Sequence, residues 1–176
     1  TLTLLYMHKG GITAAHIGDS RIYHITGQGG LKYISRDHSV AYELFQSGEM
    51  TYEEMLAYPQ KNVITRAMMP GEDNRTRPDI IHITDVRAGD YFLLCSDGLL
   101  EQLGHRELAD IFASGGTDEE IQRYLVKITA SNHDNHSAYI IHVRQVTLPD
   151  DEEDTLTNEE PTARCNQLSI LPKGYV

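Results

Sequence analysis

The stretch Asp90-Tyr-Phe-Leu-Leu-Cys-Ser-Asp97-Gly98-Leu-Leu-Glu101 decides how the rest of the chain is interpreted. Its apolar run, Tyr91 to Cys95, is followed at once by Ser96, Asp97 and Gly98. A short apolar run bounded by turn residues predicts a strand buried on both faces. An ionised carboxylate at the end of such a strand is costly to desolvate unless a cation, a hydrogen bond or water compensates it. Asp97 is therefore the first candidate for a chemical role.

The composition limits the class of protein to which the chain can belong. It has 176 residues, of which 40% are hydrophobic, enough for one domain with a core. A formal net charge of −11 argues against nucleic acid or an anionic membrane as the main partner. Two cysteines provide no disulfide framework, and no apolar stretch approaches the roughly 20 residues that span a bilayer. We therefore expect a reducing, cytoplasmic location, because no signal peptide is visible either.

The pattern of apolar residues predicts a β-rich fold. Four short strands in the first 35 residues, with a turn at Lys9-Gly10-Gly11, indicate an antiparallel meander. Two capping boxes, Thr51 to Glu54 and Thr117 to Glu120, predict helix starts. Strands outnumber helices, which favours an α+β fold with a large antiparallel sheet or a sandwich. The predicted strands are 2–8, 12–17, 21–25, 31–35, 62–68, 79–84, 91–95 and 138–147, and the predicted helices are 40–46, a short one after Thr51, 105–113 and 118–131.

Three acids share one local pattern, because each lies in a turn at the edge of a predicted strand. They are Asp19 in Gly-Asp-Ser-Arg, Asp97 in Cys-Ser-Asp-Gly and Asp134 in His-Asp-Asn-His. Taken singly, each is a turn residue that bonds its own backbone, and Asp19 could simply pair with Arg21. Taken together, they could converge at one end of a sheet, where hard divalent ions such as Mg²⁺ or Mn²⁺ would offset their repulsion.

The sequence gives no argument for a catalytic histidine. His133 and His136 flank Asp134, but their spacing matches no closed zinc site, so exposure in a loop is the expectation. His38 is expected to be a loop residue that bonds the backbone. For His105, at a helix start, the sequence offers no argument for catalysis.

Five motifs occur in an order that resembles a known family. They are Ala15 to Arg21, Ser35 to His38, Asn62 to Arg66, Asp90 to Leu99, and Asp134-Asn135. In this order and spacing they resemble the second half of the PP2C-type metal-dependent protein serine/threonine phosphatases. The resemblance covers about residues 1–147, which we treat as a partial phosphatase domain.

The resemblance implies both a fold and a metal site. The family fold is a β-sandwich of two antiparallel sheets flanked by helices, with a centre of two Mn²⁺ or Mg²⁺ ions at one end. The resemblance implies that Asp97 and Asp134 are ligands of one metal ion and that Asp19 helps to hold an additional, weaker one. Residues 39–61 resemble the variable flap beside the active site, which influences the choice of substrate.

The first half of the family pattern has no counterpart in this chain. That half supplies a phosphate-binding arginine, a nearby acid, and an Asp-Gly whose carboxylate bridges the two metal ions. The only Asp-Gly here is Asp97-Gly98. We therefore expect a fold that lacks the N-terminal strands and helices, no assignable catalytic residue, and a site that binds at most one cation weakly.

Residues 148–176 lie outside the resemblance and are interpreted as an acidic linker and C-terminal tail. Residues 150–160 hold seven acids and no base, a composition typical of a solvated segment. Gln167 to Leu171 is a candidate strand, and open sheet edges recruit strands. We expect it to pair with an exposed sheet edge of the same or a neighbouring chain, so self-association through sheet edges or the tail is a second hypothesis.

Two functions follow from these observations. The leading hypothesis is metal-dependent hydrolysis of phosphoserine and phosphothreonine in proteins by the parent phosphatase, of which this chain is an inactive fragment. The alternative is a non-catalytic, phosphatase-like module that binds or regulates a partner. A third interpretation, a β-rich domain whose turn acids have no function, leaves the order of the five motifs unexplained.

Overall fold

The apolar run of the opening stretch forms a central strand of a four-stranded antiparallel sheet. The computed structural model describes residues 1–71 and 76–147. Four of the five residues of Tyr91–Cys95 are buried, which confirms the predicted burial on both faces. The sheet has the order β4-β3-β6-β7, and its strands are β3 (Arg21–Ile25), β4 (Leu31–Ile34), β6 (Tyr91–Cys95) and β7 (Ala138–His142).

A second, three-stranded antiparallel sheet lies against the first. It has the order β1-β2-β5, with β1 (Leu2–His8), β2 (Gly11–Ile17) and β5 (Asp79–Ile83). Within it, β1 and β2 form the predicted hairpin. Ile22 and Phe92, on one face of the first sheet, are fully buried, and β1 lies close to β6 and β2 close to β3. The two sheets therefore form a sandwich.

The predicted meander of the first four strands is wrong. After β2 the chain turns at Gly18, whose φ is 101°, and β3 joins the other sheet instead of pairing with β2. Strand spacing is similar for a meander and for a crossing between sheets, so the spacing alone could not distinguish them. The crossing has a functional consequence, because it places Asp19 between the two sheets.

Four α-helices are present among the described residues. Both predicted capping boxes are formed. The hydroxyl of Thr51 accepts the backbone N–H of Glu54, and that of Thr117 accepts the backbone N–H of Glu120. The side chains of Glu54 and Glu120 in turn accept the backbone N–H groups of Thr51 and Thr117. A 3-10 turn also follows β6 directly. The helices are α1 (Val40–Gln46), α2 (Tyr52–Ala57), α3 (His105–Ala113) and α4 (Asp118–Ile128), and the 3-10 turn is Asp97–Leu100.

The main core lies between the four-stranded sheet and the helices α3 and α4. Tyr23 and Leu93 of the sheet are fully buried against Leu108 of α3 and Leu125 of α4. Residues 39–61 hold a separate small cluster, centred on Tyr42 and packed with other side chains of α1 and α2. The helix pair α1–α2 is thus a small unit beside the sandwich rather than part of its core.

Three of the predicted elements differ from the structure by more than one residue. Residues 62–68 form no strand, because only Ile64 bridges, to Ser39, and Val63 is exposed with no strand beside it. The last strand ends at His142 rather than at residue 147, and α4 ends at Ile128 rather than at residue 131. The helix stops where the Thr129 hydroxyl donates to the Leu125 carbonyl oxygen, 2.8 Å away.

The α+β class with antiparallel sheets flanked by helices is therefore confirmed. The predictions for the tail, including the strand at Gln167 to Leu171, concern residues outside those that the structure describes. Among the residues described, no helix has the length and apolar character needed to cross a membrane.

Candidate functional site

The three predicted acids line one cavity at an end of the sandwich. Asp19 follows β2 of the three-stranded sheet, Asp97 follows β6, and Asp134 lies in the loop before β7. The cavity has a volume of about 830 Å³, and all three residues are among those that line it. The convergence that sequence spacing alone could not establish is thus present. The role of these acids as metal ligands remains a prediction.

Gly98 allows the loops of Asp97 and Asp134 to touch. A Cβ at this position would lie 2.5 Å from the carbonyl oxygen of Asn135 and 3.2 Å from the Cβ of Asp134. Only glycine leaves room for so close an approach of backbone. In addition, the Asn132 side-chain amide donates to the Gly98 carbonyl oxygen at 2.7 Å. The separation of the two acids therefore depends on a direct backbone contact.

The local hydrogen bonds of these acids also satisfy the simpler interpretation. The Oδ1 atom of Asp97 accepts the Gly98 N–H at 2.9 Å, and Oδ1 of Asp134 accepts the Asn135 N–H at 2.8 Å. Each acid therefore stabilises its own turn, as expected of a turn residue. Each of these bonds engages one carboxylate oxygen, so stabilisation of the turn does not exclude binding of a cation by the other oxygen.

Two of the acids repel each other electrostatically. Burial raises the pKa of the Asp19 carboxyl, and the nearby Asp97 carboxylate raises that pKa further, against a backbone hydrogen bond that lowers it. A divalent cation between these groups would relieve the repulsion, and carboxylate oxygens are the ligands that Mg²⁺ and Mn²⁺ prefer. The donor set fits such an ion.

Arg21 does not pair with Asp19, contrary to one of the alternatives considered above. Its Nε donates to Oδ1 of Asp37 at 2.6 Å, and its Nη2 donates to the other oxygen of that carboxylate. Such a two-pronged bond holds the guanidinium in a fixed orientation. Arg21 and Asp37 both line the cavity, so they form a rigid charged pair in its wall.

His105 also lines the cavity, and the sequence did not single it out. Its Nδ1 lies 3.0 Å from the hydroxyl oxygen of Tyr23, which is fully buried. Burial and the positive charge of Arg21 lower the pKa of His105 to about 4, so its ring is neutral near pH 7. Only the contact between α3 and the four-stranded sheet, which no sequence signal encodes, could have revealed this placement.

A second part of the cavity wall comes from residues 39–61. This part is largely apolar and aromatic, whereas the acids lie in other parts of the chain. One of its side chains, Leu56, is 54% exposed. The cavity-lining residues of α1, α2 and the segment after them include Tyr42, Tyr52, Met55, Leu56 and Lys61.

A second group of possible metal ligands lies elsewhere, at the end of the three-stranded sheet. Ligand atoms of His16, His38 and Asp79 lie within 4.8 Å of one another. However, Nδ1 of His38 accepts the Gly18 N–H at 3.1 Å, so the proton of a neutral His38 ring is on Nε2. Nε2 lies 3.2 Å from Asp79 Oδ2, a close contact without the alignment of a hydrogen bond. A protonated Nε2 cannot bind a metal ion, so we interpret this group as structural.

His38 thus confirms the prediction of a loop residue that bonds the backbone. It is buried, and it holds the amide that directly precedes Asp19. Asp79 in turn accepts a hydrogen bond from Arg66 Nη1 at 2.8 Å. The prediction for His133 is also confirmed, because its side chain is 91% exposed.

Comparison with known proteins agrees with this geometry. The chain is 40% identical over 114 residues to the protein phosphatase PhpP of Streptococcus pneumoniae, an alignment that covers 65% of this chain and 45% of that protein. It is 31% identical over 130 residues to a putative 2C-type protein phosphatase of Streptococcus pyogenes, with 73% and 51% covered. The chain is related to the PP2C-type serine/threonine phosphatases. No protein-family model matches it.

The relationship to PP2C-type phosphatases extends to the structure. The serine/threonine phosphatase Stp1 of Staphylococcus aureus is similar with a TM-score of 0.69 at 29% sequence identity, over 82% of this chain and 56% of that one. The chain spans about half the length of the curated PP2C-type relatives that it matches. The relatives are enzymes, as the resemblance implied.

Proposed function

We propose that this chain is part of a metal-dependent protein phosphatase whose whole domain hydrolyses phosphoserine and phosphothreonine in proteins. The observation that carries the proposal is the convergence of Asp19, Asp97 and Asp134, from three separate loops, on one cavity. The names of the relatives support the same reaction class. The expected partner is therefore a phosphoprotein substrate.

In this proposal the acids have separate roles. Asp97 and Asp134, whose loops touch at Gly98, are ligands of one Mn²⁺ or Mg²⁺ ion, and Asp19 is an accessory ligand. A bound ion of this kind supplies a polarised phosphoryl group and a water molecule of lowered pKa. The rigid pair of Arg21 and Asp37 and the neutral His105 shape the polar wall beside the ligands.

We further propose that this chain alone is inactive. Two-metal hydrolysis needs ligands that hold both ions at a short separation. The chain contains no Asp-Gly other than Asp97-Gly98, which is already assigned to one ion. The chain therefore supplies the ligands of one ion and of an accessory site, and weak binding of a single cation is expected.

A non-catalytic binding module is the second candidate function. It is favoured by the largely apolar wall of α1 and α2, where Leu56 is exposed within the cavity. Such a wall could bind a partner without any metal ion. The two candidates differ in whether the acids bind a cation.

Calorimetric titration of the chain with Mn²⁺ tests the leading proposal. Asp97→Asn and Asp134→Asn keep the side-chain shape but remove the charge, so each should weaken binding at least about tenfold. Asp110→Asn is the matched control, because Asp110 is an exposed residue of α3 that does not line the cavity. Binding that is absent, or unaffected by both site variants, would favour the binding module.

Hydrolysis of a chromogenic phosphate ester tests the second part of the proposal. The chain should show no Mn²⁺-dependent turnover above that of Asp97→Asn. Turnover by this chain that disappears in Asp97→Asn would show that its own residues suffice for catalysis, and the proposal of inactivity would then be wrong.

A further inference from the structure

Glu101 makes an unusual set of hydrogen bonds for an acid at the rim of the cavity. It directly follows the 3-10 turn that carries Asp97. Its Oε2 accepts the backbone N–H of His133 at 2.7 Å and that of Asp134 at 3.3 Å. Its Oε1 lies 2.8 Å from His133 Nδ1, which must donate because an ionised carboxylate only accepts.

These bonds hold the middle of the loop that carries Asp134. The start of the loop is fixed by the bond from Asn132 to Gly98, and its end by the bonds between Ser96 and Ser137. Between these points Glu101 accepts hydrogen bonds from the loop backbone, and no other side chain from outside the loop does so in the described part of the chain. His133, almost fully exposed, contributes no packing that could replace them.

The chemistry of Glu101 suits a positioning role better than a ligand role. Both of its oxygens accept N–H groups, and hydrogen bonds to an ionised acceptor are stronger than neutral ones. A metal ion at Glu101 would have to displace these donors.

We propose that Glu101 is a positioning residue that holds Asp134 at a fixed distance from Asp97 and thereby sets the affinity of the site for a divalent cation. This inference rests on the proposed metal site. It assigns Glu101 no contact with the ion. Residues that orient ligands in this way typically change metal affinity by roughly 10- to 100-fold when they are removed.

Mn²⁺ titrations of Glu101→Ala and Glu101→Gln distinguish positioning from direct binding. Glu101→Ala removes all three bonds and should weaken Mn²⁺ binding about tenfold. Glu101→Gln keeps one carbonyl oxygen, which can accept both backbone N–H groups now bonded to Oε2, so it should restore most of the affinity. If Glu101 were a ligand, the neutral Gln variant would lose as much affinity as the Ala variant, and the inference would be overturned.

Glu107→Ala is the matched control for charge. Glu107 is an exposed acid of the neighbouring helix α3 that does not line the cavity, and its removal changes the net charge equally. It should leave Mn²⁺ affinity unchanged. The thermal unfolding midpoint of Glu101→Ala should stay within about 3 °C of that of the native chain, because the bonds lie at the surface. A large drop would indicate a general structural role instead.

The two proposals fail in different ways. If the native chain binds no Mn²⁺, the metal site and the role of Glu101 are both wrong. If the native chain binds Mn²⁺ and Asp97→Asn abolishes binding while Glu101→Ala has native affinity, only the role of Glu101 is wrong.

Discussion

At the scale of single residues, Gly98 determines how closely the loops of Asp97 and Asp134 can approach each other. The carbonyl oxygen of Asn135 occupies the space where a side chain at this position would begin. A glycine that follows an acid at the end of a buried strand leaves room for another group to approach the backbone. The sequence could not show which group approaches, since Asn135 is distant in sequence and is brought there only by the pairing of β6 with β7.

Gly98→Ala should therefore separate Asp97 from Asp134 and weaken Mn²⁺ binding at least about tenfold, as the loss of a positioning contact does. Calorimetry measures the affinity, and circular dichroism checks that the fold is kept. Gly116→Ala is the control, since Gly116 does not line the cavity and a Cβ built there would meet only side-chain atoms at 3.4 Å or more, so Mn²⁺ affinity should be unchanged. Native affinity in Gly98→Ala would show that the contact does not set the site.

At the scale of elements, the three-stranded sheet has an incompletely covered outer face. Strand register places Leu4, Ala15 and Ile80 side by side on this face, with Tyr6 in the next row. Leu4, Tyr6 and Ile80 are 43%, 62% and 56% exposed. Strand β1 is also an edge strand of the sheet. Exposed apolar faces and open edges favour association.

We therefore predict that the chain self-associates through β1, as the sheet edges suggested. Sedimentation velocity should show a concentration-dependent dimer, and Tyr6→Lys should shift it to the monomer because a charge at the edge opposes pairing. Val126→Lys, at an equally exposed position of α4, is the control and should not change the association. A native chain that stays monomeric at high concentration would contradict the prediction.

At the scale of the whole molecule, three of its histidines are held neutral by the fold. Burial lowers the pKa of His16, of His24 and of His105, the last to about 4. In the unfolded chain these rings bind a proton below about pH 6.5. Below that pH the unfolded state thus binds more protons than the folded state, and the free energy of unfolding falls as the pH falls.

Chemical unfolding should therefore show a lower free energy of unfolding at pH 5.5 than at pH 7.5. The histidine contribution is fully present above pH 6.5 and is lost progressively below it, down to about pH 4 for His105. His105→Gln should make this loss smaller, since it removes one group that takes up a proton on unfolding. A free energy of unfolding that is constant or rises towards pH 5.5 would contradict the prediction.

The sequence by itself determined much of the local structure and identified the candidate residues of the site. Strand periodicity, capping boxes and turn residues act over a few neighbours, so the buried strand Tyr91–Cys95 and the helix starts at Thr51 and Thr117 could be predicted. The same local reasoning identified Asp19, Asp97 and Asp134 as candidates. It failed at residues 62–68, where strand character found no neighbouring strand to pair with.

Only the tertiary structure decided how these parts combine. The turn at Gly18 directs β3 into the four-stranded sheet, which brings Asp19 towards two acids that follow and precede strands of that sheet. Three features of the site depend on contacts between residues far apart in the chain. They are the pairing of Arg21 with Asp37, the burial of His105, and the hydrogen bonds between Glu101 and the Asp134 loop. Such contacts arise from packing, which residue type and spacing do not specify.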